Sequence, residues 1–80
     1  MTGEQFRSFF EQYRKDHTQA SFGGLFGLGD RAMRKSLKQG PSQSIALMIV
    51  VLTGLEQEKA GTIERSIELM EAIAAKTEPD

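Results

Sequence analysis

The sequence contains no cysteine and one histidine, His17. The first absence excludes a disulfide framework and any thiolate metal site. The second leaves too few nitrogen donors for a structural metal. The longest apolar run, residues 45–52, is far shorter than the roughly 20 residues of a membrane span. The first residues lack the basic-then-apolar pattern of an export signal. There is no internal repeat and no low-complexity segment. Carboxylates gather late in the chain, at Glu64, Glu68 and Glu71. No second histidine, cysteine or glycine-rich loop accompanies them, so they read as a solvated helix face rather than acid–base machinery. The expectation is a soluble, cytoplasmic, non-enzymatic protein that needs no cofactor and no metal.

Eighty residues make a single domain whose core is modest, and oligomerisation would help to stabilise it. The net charge of −1 hides an uneven distribution. Residues 1–40 hold seven Lys/Arg and four Asp/Glu, whereas residues 41–80 hold three and seven. Such a division suggests that one half faces a polyanion.

The apolar spacing predicts an all-α chain, a compact bundle of about five helices. Phe6, Phe9, Phe10 and Tyr13 lie three and four apart, on one face of a first helix over residues 3–15. Thr2 and Gln5 fit a capping box at its start. His17 falls in the connection and reads as a partly buried packing residue. Thr18 caps a second helix over residues 18–26, with Phe22, Leu25 and Phe26 turned inward. Gly23 suits a close helix crossing, and Gly27 a left-handed stop. A third helix starts near Gly29 or Asp30 and ends before the Gly40-Pro41-Ser42 turn. Its apolar residues are few, with Met33 and Leu37 foremost, and Leu28 just before it. A fourth helix over residues 42–54 is nearly all apolar and is expected to be buried on most sides. A last helix over residues 62–76 carries the stripe Ile63, Ile67, Met70 and Ile73, and residues 77–80 are expected to be a disordered tail. With the aromatic residues and the fourth helix already supplying a core, that stripe, helped by the end of the fourth helix, is the expected dimer interface, and covering its own domain is the alternative.

The segment over residues 18–37, TQASFGGLFGLGDRAMRKSL, describes two short helices joined by a glycine-containing turn. A major groove about 12 Å wide admits one α-helix, and the helix presented must be polar outward. The third helix is. Arg31 and Arg34 project from the same side, and each can donate two hydrogen bonds to a guanine edge. Lys35 and Lys38 suit phosphate contacts that set position. Gln19, at the start of the second helix, lies where backbone N–H groups attract a phosphate. Asp30 can accept from cytosine N4 or orient Arg31. One such helix reads too few bases for useful specificity. A twofold pair on half-sites about one helical turn apart is therefore expected.

This arrangement resembles the helix-turn-helix of the lambda-repressor-like, or Xre/Cro-type, family of bacterial and phage regulators. Through Gly27-Leu28-Gly29-Asp30-Arg31-Ala32-Met33-Arg34 it most resembles small phage-type repressors such as the anti-CRISPR-associated regulators. The likeness covers residues 5–55 and leaves the last helix outside. It implies a sequence-specific double-stranded DNA-binding repressor that dimerises on a palindromic operator. Two positions depart from the pattern. Gly29 stands where the family favours a Ser or Thr cap, and Ser36 where it favours an apolar anchor. With the acidic second half, these departures motivate an alternative on the same fold. That alternative is a protein-interaction module such as a phage inhibitor, antitoxin or adaptor.

Overall fold

The Thr2 hydroxyl accepts from the Gln5 N–H, and the Gln5 side chain accepts from the Thr2 N–H. This reciprocal cap starts the first of five helices in a computed structural model that describes residues 1–77. They are α1 (Gly3–Tyr13), α2 (Gln19–Leu25), α3 (Asp30–Gln39), α4 (Gln43–Glu58) and α5 (Thr62–Thr77). The described residues contain no β-strand, and the chain is a compact all-α bundle. Thr18 and Ser42 cap α2 and α4 through their hydroxyls, each accepting from the N–H three residues on. Glycines at positive φ follow α2, α3 and α4, at Gly27, Gly40 and Gly61. Thr77, expected in a loose tail, closes α5, and residues 78–80 lie outside the described residues.

Two helix ends differ from expectation. α1 stops at Tyr13 because Lys15 takes a left-handed backbone, φ 51°, and turns the chain toward α2. α4 continues past Gly54 because Leu55, Glu56, Gln57 and Glu58 are good helix formers and no breaker intervenes before residues 59–61.

Phenylalanine rings fill the centre. Phe22 is fully buried. Its ring meets Phe10 edge-on at 5.2 Å and Phe9 at 6.2 Å, and lies tilted against Phe26 at 5.3 Å. Met33, Leu37, Ile45, Ile49, Ile63 and Ile67 complete the core. α1 packs on α3, α2 on both α3 and α5, and α4 on α5. His17 is half-buried beside Phe22. Its two ring nitrogens engage the Ser21 hydroxyl and the Glu71 carboxylate, which ties the α1–α2 connection to α5.

The two apolar helices depart from expectation. α4 is not buried on most sides. Among its large apolar side chains only Ile45 and Ile49 are buried, with Leu52 partly so, because α4 packs chiefly on α5 and the core has room for one face. Ile63 and Ile67, expected at a dimer interface, are 1 % and 4 % exposed within the chain's own core. Met70 packs partly against them, and only Ile73 of that stripe faces outward.

Glu56 holds the α4–α5 corner. Its two carboxylate oxygens accept from the N–H groups of Ile63 and Gly61, both at 2.9 Å. These bonds, Ile63 first, hold its carboxyl below the usual glutamate range.

Close packing makes two glycines opposite in consequence. A Cβ on Gly3 would stand 2.5 Å from the backbone of Lys38, whereas one on Gly24 would meet nothing within 4 Å. Gly3→Ala should cost about 1–3 kcal/mol by forcing α1 from α3. Gly24→Ala should add about 0.5–1 kcal/mol by helix propensity and a stiffer unfolded chain. Met33→Ala, at a fully buried site, should cost about 2–5 kcal/mol. Urea denaturation reads all three. Because Glu56 titrates lower in the folded chain, its contribution is present above the unfolded pKa and is lost as pH falls through the folded one. Wild type and Glu56→Gln should therefore differ in Tm at neutral pH and converge in acid. A gap that stays constant with pH would rule this out.

Candidate nucleic-acid interface

A helix of ten residues, α3 carries three inward side chains, Met33, Ser36 and Leu37. Arg31, Arg34, Lys35 and Lys38 are all exposed. At 100° per residue these four fall within an arc of about 100°, opposite the buried three. The buried set explains how so polar a helix is held. Gly23 of α2 brings its backbone against Met33, whose Cβ, Cγ and Sδ would lie 3.0–3.1 Å from any Cβ added there. Ser36, in place of an apolar anchor, donates its hydroxyl proton to the Ala32 carbonyl at 2.8 Å and leaves no polar atom unsatisfied. Leu37 is buried beside it, under the start of α1. The turn before α3 is closed by the Leu28 N–H donating to the Gly23 carbonyl at 2.9 Å, with Leu28 packed against the core. Gly29 caps α3 without a side-chain bond, and Asp30 in the first turn complements the helix dipole instead.

The expected contact residues gather around two adjoining depressions. Arg31, Arg34, Lys35 and Lys38 line a shallow groove of about 550 Å³ together with Gln19 of α2 and Arg7 of α1. Asp30 lines a smaller one beside it, with Thr18, Gln19 and Arg34. Asp30 makes no ion pair with Arg31 or Arg34. Arg7 is the residue that sequence reasoning missed. It stands off the aromatic stripe of α1 and reaches the groove only because α1 crosses α3. The signal for that crossing was Gly3, whose missing side chain lets the two backbones touch.

No family model, curated protein or solved structure matches this chain.

Arg31 and Arg34, Arg31 and Lys35, Arg34 and Lys38, and Lys35 and Lys38 are like-charged neighbours three or four apart. Each pair opposes the helix by about 0.2–0.5 kcal/mol. Among the described residues, none of these cations, nor Arg7, has a carboxylate partner. The acidic helix is treated differently. On α5, Glu64 stands 3.8 Å from Lys15, and Glu71 accepts from His17. The fold thus pairs two of the three α5 carboxylates internally and leaves five cations open to solvent on one surface. An external polyanion would relieve that repulsion. Among the described residues no group of three or more His, Asp or Glu side chains could hold a metal ion, and no helix is long and apolar enough to cross a membrane.

Proposed function

We propose that this chain is a helix-turn-helix regulator of transcription that binds double-stranded DNA by sequence, a cytoplasmic repressor of the lambda-repressor-like type acting in pairs on a palindromic operator. The observation that carries the reading is the row of unpartnered cations on α3, shared with Arg7 and Gln19 in one groove. α3 enters the major groove with its outer face toward the bases. Arg31 and Arg34, on the N-terminal half, donate to guanine O6 and N7. Lys35, Lys38 and Arg7 hold phosphates on either side and set the register. Gln19 donates its side-chain amide to a phosphate from the start of α2. Asp30, beside Gln19 and Arg34, faces a cytosine amino group and discourages other bases.

A second reading, a protein-interaction module on the same fold, is favoured by the apolar outer side of α4, where Leu47, Val50 and Val51 are exposed. Salt separates the two. DNA binding by phosphate contacts weakens steeply as salt rises, and a module of the second kind is indifferent to DNA.

The test begins with selection of bound sequences from a random DNA pool, followed by fluorescence anisotropy on the selected site across a salt series. Arg31→Ala should cost about 1–3 kcal/mol and relax the choice of base at one position. Lys38→Ala and Arg7→Ala should weaken all sequences about equally and flatten the salt slope by about 1 each. Selective binding that survives Arg31→Ala unchanged would overturn the docking.

A further inference from the structure

DNA recognition by α3 leaves the outside of α4 unused. A helix packed on one side ordinarily turns charged or polar side chains to water. α4 turns Leu47, Val50 and Val51, which are 57 %, 59 % and 58 % exposed, with Met48 and Leu55 flanking them. Residues 43–55 contain no ionisable side chain. Together these five side chains expose on the order of 400 Å² of apolar surface. That is as much as the largest patch on a typical monomer and about half of what one partner gives a standard interface. Beside them runs a groove of about 640 Å³ between α1 and α4, lined by Phe9, Tyr13, Ala46, Leu47 and Val50 among others. Its polar rim, with Gln12 and Gln43, extends the surface toward the size a stable pair needs.

We infer that this face binds a second copy of the same chain, α4 against α4, antiparallel about a twofold axis near Val51. A twofold interface sets each surface against itself. The α3 surface would oppose five cations to five, and the outer side of α5 would oppose Glu64 and Glu68 to their own copies. Of the three surfaces, α4 is the one that meets its copy without like charges. Direction follows from the single charged residue on the same side, Glu58. Parallel helices would bring the two Glu58 carboxylates together. Antiparallel pairing about Val51 sets Glu58 beside residues 43 and 44 of the second copy, at a helix N-terminus that favours a carboxylate. The same register lays Leu47 over Leu55 of the second copy and Met48 over its Gly54. A Cβ on Gly54 would meet nothing within 4 Å, so this glycine leaves an open notch in the exposed face. α5 offers much less, with Leu69 and Ile73 as its exposed large apolar residues.

The pairing is tested without DNA, by sedimentation equilibrium at about 100 μM, where any dimer with a Kd of micromolar order is filled. Wild type should have the mass of two chains. Val51→Asp should have the mass of one, with an unchanged helical circular dichroism spectrum because Val51 is exposed, and a melt lowered only by the lost association. Ile73→Asp should remain a dimer. The absence of native cysteine gives a second measurement that does not depend on disrupting anything. Val51→Cys should be joined to its copy by a short thiol crosslinker, and Ile73→Cys should not. A wild-type mass of one chain, or a dimer that Ile73→Asp dissolves and Val51→Asp does not, would overturn the interface. The dimer and the DNA reading fail separately. A two-chain mass that Val51→Asp halves, with indifference to DNA, upholds this interface and removes the reading, and a one-chain, salt-sensitive DNA binder does the reverse.

Discussion

Everything in this fold is referred to the Phe22 ring. It lies on the shortest helix of the five, a seven-residue piece that could not persist alone in water. Phe9 and Phe10 reach it from α1, Phe26 from the end of its own helix, and His17 from the loop before it. With α2 pinned in this way, the next residue, Gly23, presents bare backbone to Met33 and fixes where α3 must lie. The basic surface therefore owes its placement to an aromatic contact on its far side. A large residue at position 23 would push α3 outward before it touched any charged group.

A second constraint is the number of helices available to cover one another. Five short helices around a phenylalanine cluster can enclose one face of each. α3 conforms by turning only three side chains inward, Met33, Ser36 and Leu37, two of them apolar. α4 does not conform, and its surplus leucine and valine remain outside. The hydrophobic effect acts on those side chains as strongly as on the buried ones, so the isolated chain leaves a free-energy term unspent.

The parts of this arrangement that were legible in the sequence are the ones encoded locally. Thr2 with Gln5, Thr18 and Ser42 announce helix starts through hydroxyl-to-backbone bonds that span three residues. Gly27 announces a stop because glycine takes the left-handed backbone after a helix with the least strain. The inward and outward faces of α3 follow from spacing alone, and with them the grouping of Arg31, Arg34, Lys35 and Lys38. What escaped is non-local. Spacing identifies the stripe on α5, but cannot say whether α2 and α4 or another molecule covers it, and Ile63 and Ile67 belong to the former. Continuous apolar residues on α4 suggested burial because no pattern within the helix records how many neighbours it has. Arg7 joins the basic groove through a crossing made by the chain's two most distant early segments. Glu56 caps a helix across a loop, a bond whose partners are five and seven residues away.

The division of charge along the chain has a consequence for motion rather than for structure. A molecule of net charge −1 is barely drawn toward or driven from a distant ion. With cations collected on α3 and carboxylates on α5, it nonetheless carries a lasting electric dipole moment. In the field of a charged rod or surface such a body experiences torque before it experiences appreciable net pull. It turns while still separated by solvent and arrives already oriented, so fewer collisions are wasted on the wrong face. Added electrolyte would erode that alignment over about one Debye length, roughly 8 Å at physiological ionic strength.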